Sequence, residues 1–134
     1  LWEYPLRSVC TISTHDMATL RGWWEEDPEL TARYYNHVLG HWGEVPATAP
    51  GEVCEEIIRQ HLQCPSLLAI LSFQDWLSMD EELRYPDANA ERINVPANPR
   101  HYWRYRMHLT LEELMKSHKF NEKMRGMIDE TNRY

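Results

Sequence analysis

The run Leu67-Leu68-Ala69-Ile70-Leu71-Ser72-Phe73 constrains the fold of this chain most. It is apolar without interruption and has the length of a strand. Continuity, not alternation, is what a strand covered on both faces shows, as in parallel sheets. A buried helical segment is the competing reading, and the shortness of the run favours the strand. A second run, Ser8-Val9-Cys10-Thr11-Ile12-Ser13, is rich in β-branched residues and also reads as a buried strand. Two strands do not make a stable sheet unaided. The expectation is therefore an α/β fold with two parallel strands, 8–13 and 67–73, and a mainly helical remainder. Residues 1–134 would form one incomplete domain.

The helices announce themselves by their ends. Asp27-Pro28-Glu29 combines an N-cap acid, a Pro at the first helical position and a second acid near the positive end of the dipole. That helix should run to about Leu39 and stop at Gly40. Val53, Cys54, Ile57, Ile58 and Leu62 keep helical spacing and predict a helix over 52–63. Residues 85–100, rich in Pro, Asn and Asp, read as an ordered loop. Thr110-Leu111-Glu112-Glu113 is a capping box that opens a helix with Leu111, Leu114 and Met115 on one side. Ser117 could cap a last helix with Phe120, Met124, Met127 and Ile128 inward. The spacing of Met115, Met124 and Met127 reads as core.

Charge and cysteine usage narrow the function. The 21 acidic and 14 basic residues give a net charge of −7. That argues against non-specific nucleic-acid binding, which needs a basic footprint, and against an anionic membrane surface. Cys10, Cys54 and Cys64 are odd in number and form no C-x-x-C pair, so neither a disulfide framework nor a zinc site is supported. A reducing, cytoplasmic setting is the expectation. His37 and His41 are spaced i, i+4, with His61 beyond, but no H-E-x-x-H pattern joins them. Glu25-Glu26-Asp27 is most simply a solvated loop and helix cap. The opening Leu1-Trp2-Glu3-Tyr4-Pro5 suggests an end cut within a longer protein.

The chemistry gathers at the strand ends. Ser13-Thr14-His15-Asp16 follows the first strand and Gln74-Asp75 the second. Parallel barrels keep their functional residues at the C-terminal ends of strands. Plainer roles are also open: Asp16 could cap the next helix, His15 could bond a neighbouring carbonyl, and Asp75 could cap a short helix. Arg92-Ile93-Asn94-Val95-Pro96 lies in the long loop, where Arg92 and Asn94 could bind a ligand or tie the loop to itself.

These segments together resemble the last third of a 4-α-glucanotransferase of glycoside hydrolase family 77. The match runs through Thr14, His15 and Asp16, then Thr19, Leu20, Arg21, Gly22, Trp23 and Trp24, and continues through Gln74-Asp75 and Glu91 to Pro96. It implies the C-terminal fragment of a (β/α)8 TIM barrel. By resemblance, Asp16 stabilises the transition state and His15 binds the adjacent sugar hydroxyls. Gln74, Arg92, Asn94 and Pro96 would line the groove for an α-1,4-glucan or malto-oligosaccharide. Trp103, Tyr105 and Arg106 would pack the loop onto the barrel. No cofactor or metal is implied, and no nucleic-acid or membrane partner. The nucleophile Asp and the acid/base Glu would lie on the remainder of the barrel, N-terminal to this chain. The wording Asn98-Pro99-Arg100-His101-Tyr102-Trp103-Arg104 is closer to the larger disproportionating enzymes than to the short amylomaltases. A reading from another class is a small acidic, mostly helical protein-interaction module without catalysis. The strand at 67–73 separates the two, because a free-standing helical module has no reason to carry it.

Overall fold

A computed structural model describes residues 1–133. Two short strands, β1 (Val9–Cys10) and β2 (Leu68–Ala69), pair in parallel with Val9 opposite Leu68 and Cys10 opposite Ala69. Backbone bonds from Leu67 N to Leu6 O at 2.8 Å and from Ile70 N to Cys10 O at 2.9 Å prolong the pairing on either side. The regular strands are thus shorter than 8–13 and 67–73. Ser72 accepts from the Asp75 amide and starts a helix, so Phe73 leaves the strand. Burial on both faces is also absent within this chain. Val9, Leu67, Leu68 and Ile70 are all more than half exposed, because each strand has only the other as neighbour.

The described residues also form six α-helices: α1 (Leu20–Glu26), α2 (Pro28–His37), α3 (Gly51–Leu62), α4 (Phe73–Leu77), α5 (Leu111–Lys116) and α6 (His118–Glu130). The α2 signals read true: Asp27 accepts from the amides of Glu29 and Leu30, and Pro28 opens the first turn. The helix ends at His37, two residues short of Leu39, and Gly40 follows with a φ of 76°. α3 carries the expected apolar stripe of Val53, Cys54, Ile57, Ile58 and Leu62, all buried. It starts where Gly51 meets the backbone of Met79: a Cβ there would stand 2.9 Å from the Met79 carbonyl oxygen.

α1 corrects the sequence reading, which took Glu25 and Glu26 as loop. They form its last turn, and Thr19 caps its start by accepting from Gly22 N. Its core residues, Leu20 and Trp24, sit i, i+4, a spacing too short to announce a helix alone. The Thr110 capping box is present in full at α5. Its apolar side is not buried, however. Leu111 is 65 % and Met115 74 % exposed, so Met115 is not core, and only Leu114 packs inward. The capping box fixes where the helix begins, and nothing among the described residues covers that face. In α6, Phe120 and Met127 are buried and Met124 packs against the core, as its spacing predicts, but Ile128 is only half-buried and lies outside the core cluster. Ser117 precedes α6 without a capping bond and donates instead to the Glu113 carbonyl.

One core joins α1, α3, α4 and α6 through Leu20, Trp24, Ile57, Ile58, Leu77, Phe120 and Met127. Ile12, Ala69, Leu71 and Phe73, in or just after the two strands, pack against it. The loop that carries Arg92 and Asn94 contains a 3-10 turn at Ala88–Glu91. Among the described residues, no helix is long and apolar enough to cross a membrane.

Candidate functional site

Asp75 is the anchor from which the site is built. It is fully buried at the start of α4. Its carboxylate accepts from Leu20 N at 2.8 Å, from Ser72 Oγ at 2.7 Å and from Ser13 Oγ. Capping is indeed its work, but the helix it caps is α1, which precedes it in sequence. One carboxylate thus ties the end of β1, the end of β2 and the first turn of α1 together. The segment Thr14–Asp16 is held between these fixed points.

A buried ion pair braces the other side. Arg21 Nη1 donates to Glu91 Oε1 at 2.9 Å and to the Tyr85 carbonyl at 2.6 Å. Burial pushes the Glu91 carboxyl above its ordinary range, against the pull of the Arg21 guanidinium and of Thr19. Gln74 is buried and its Nε2 donates to the Glu91 carbonyl at 3.3 Å. Sequence reasoning assigned no role to Glu91, whose burial is the signal and is visible only in the fold.

On this base the exposed polar groups converge. Asn94 Nδ2 donates to Asp16 Oδ1 at 2.6 Å, and Asn94 N donates to the His15 carbonyl at 3.0 Å. His15 Nε2 stands 3.3 Å from Asp16 Oδ2, and both side chains are about half exposed, at 53 % and 49 %. Arg92 Nε donates to the Asn94 carbonyl at 3.0 Å and so holds the loop backbone. Trp103 lies against His15, ring centroids 5.1 Å apart, and is 62 % exposed. A cleft of about 350 Å³ opens beside the cluster, with Thr14, His15, Ser72, Gln74 and Ile93 in its wall.

The plainer roles sort themselves on this geometry. Asp16 does not cap α1, since Thr19 and Asp75 do. His15 faces Asp16 and Trp103 rather than a carbonyl. Arg92 does make a local loop bond, whereas Asn94 reaches across 78 residues to Asp16. Pro96 is exposed in the turn closed by Asn98 N to the Val95 carbonyl. Two of the other histidines are engaged separately: His41 Nε2 with Glu56 at 2.6 Å, and His61 Nδ1 with the Ile57 carbonyl at 2.7 Å. A half-exposed carboxylate held by an amide, with an imidazole and an indole beside it, can bind sugar hydroxyls and stabilise positive charge nearby.

Residues 1–111 match the family Glyco_hydro_77, described as 4-alpha-glucanotransferase. The chain belongs to this family. It is 37 % identical over 131 residues to the 4-alpha-glucanotransferase DPE2 of Oryza sativa subsp. japonica, which covers 98 % of the chain and 14 % of that protein. It is 30 % identical over 122 residues to the 4-alpha-glucanotransferase of Chlamydia pneumoniae, covering 90 % of the chain and 23 % of the relative. The fold is similar to that of the amylomaltase from Streptococcus agalactiae in complex with acarbose, with a TM-score of 0.69 at 19 % identity. That likeness takes in 97 % of this chain and 23 % of the amylomaltase chain. This glucanotransferase-family chain therefore spans about a seventh to a quarter of the proteins it matches.

Proposed function

We propose that this chain is the C-terminal part of a (β/α)8 barrel whose whole transfers α-1,4-glucan segments between malto-oligosaccharides. The observation that carries the reading is the junction of Asp16 and Asn94 at the C-terminal edge of β1, with His15 beside them. The parallel pairing of β1 and β2 supports the barrel, and it weighs against a purely helical interaction module.

In the proposed reaction the parent retains anomeric configuration by double displacement. Such enzymes place two carboxyl groups about 5 Å apart across the glycosidic bond, one as nucleophile and one as acid/base. Neither role falls to Asp75, which is buried and bonded on both oxygens. Those two groups belong to the rest of the barrel. Asp16 stabilises the flattened, positively charged sugar, and His15 binds its hydroxyls. Asn94 fixes the Asp16 carboxylate. Gln74, Arg92 and Pro96 belong to the glucan groove.

The test is to incubate the full-length protein with maltotriose and follow the products. Glucose together with maltopentaose and longer α-1,4 chains is expected. Hydrolysis to glucose and maltose alone, or no reaction, would refute the proposal.

A further inference from the structure

In a chain of net charge −7, the segment from Arg92 to Leu111 contains four arginines and no carboxylate. None of Arg92, Arg100, Arg104 and Arg106 is paired with an acid among the described residues. Three of them, Arg92, Arg104 and Arg106, line one concavity of about 370 Å³, whose other walls include Tyr85, Tyr102 and Tyr105. Arg92 spends only its Nε on the Asn94 carbonyl, so both of its terminal nitrogens are without a partner among the described residues. The Arg104 guanidinium lies over the Tyr102 ring at 5.2 Å from the centroid, which holds its fork in place without neutralising it. Glu91, the carboxylate next to this segment, is already bonded to Arg21.

Guanidinium forks match the geometry of phosphate oxygens, and tyrosine faces stack on sugar rings. We propose that this concavity binds a phosphate monoester carried on a hexose, with Arg104 and Arg106 holding the phosphate and Tyr102 against the ring. It lies on the loop that carries Asn94 and shares Arg92 with the proposed glucan groove, but it does not include Asp16 or His15, so the phosphate would sit away from the bond being cleaved. The ester could come from a free sugar phosphate or from a phosphorylated glucan.

The experiment is calorimetric titration of the full-length protein with glucose 6-phosphate and with glucose, at low and high salt. A parallel arm uses a phosphorylated maltodextrin before and after phosphatase treatment. Binding that depends on the phosphate and weakens with salt is expected. Arg104→Ala and Arg106→Ala should each weaken it roughly tenfold, with Arg104→Lys in between. Thermal melts confirm that each variant is folded, and a variant that is not is replaced by Arg104→Lys. Tighter binding of the dextrin would assign the ester to the glucan, and tighter binding of glucose 6-phosphate to a free sugar. Equal binding of glucose and glucose 6-phosphate, no binding of either phosphorylated form, or an affinity unmoved in folded Arg104 variants would overturn the proposal. These readouts involve no glucan transfer, so they stand apart from the activity assay.

Discussion

Asn94 shows how one side chain can link distant segments. Its amide donates to Asp16 and its backbone to the carbonyl of His15, so the loop fixes the orientation of the carboxylate. A hydrogen bond to a charged group contributes about 1.5–3 kcal/mol when enclosed, and less at the half exposure seen for Asp16. Asn94→Ala should therefore cut kcat of the full-length protein by roughly tenfold while the melting temperature changes little. An unchanged kcat would remove Asn94 from the account. His61 gives a prediction about pH. Burial lowers its folded pKa below the ordinary 6.5. The folded state then favours the neutral ring, so the stabilisation is complete above about pH 6.5 and is lost as pH falls through the folded pKa. Urea melts at pH 7.5 and 5.5 should show the wild type losing more stability than His61→Gln. Equal losses would mean that His61 is not desolvated.

At the scale of elements, the Asp75 carboxylate and the α3 start carry the architecture. Asp75→Ala would leave the Leu20 amide and two serine hydroxyls without their acceptor in a buried site. The expected cost is at least about 2 kcal/mol in urea unfolding. A cost within a few tenths would show that water replaces the carboxylate. Gly51→Ala should destabilise by about 1–3 kcal/mol, because the Glu81 side chain beside the added methyl can shift but the Met79 backbone carbonyl cannot. The same elements show what the residues alone could reveal. Asp27-Pro28, the α3 stripe and the Thr110 box were legible because each is decided within a single helix, by its ends or by its own spacing. α1 was not, since its helix is seven residues long and its N-terminus is completed by Asp75, 55 residues away. The strand ends His15-Asp16 and Gln74-Asp75 were recognisable as a pair of edges, but the Asp75 tie between them is a tertiary fact. The exposure of Met115 was equally hidden, because helical spacing says which face is apolar and not whether anything covers it.

At the scale of the whole molecule, the described residues form one core and a two-stranded sheet. Leu6, Val9, Leu67, Leu68 and Ile70 are all exposed around a two-stranded ladder. Exposed apolar strand edges invite association. Residues 1–134 expressed alone should accordingly self-associate on a sizing column and release no glucose from maltotriose, and a monodisperse, active monomer would contradict the incomplete-barrel reading. The role assigned to Asp16 can be measured only where the other two carboxylates are present. The most direct measurement is thus kcat for maltotriose disproportionation by the full-length protein and its Asp16→Asn variant, with a thermal melt of each. Loss of charge opposite the developing oxocarbenium ion should lower kcat by about a hundredfold or more while the melt stays within a few degrees. A well-folded variant that turns over within about threefold of the wild type would contradict the claim that this chain supplies the stabilising carboxylate.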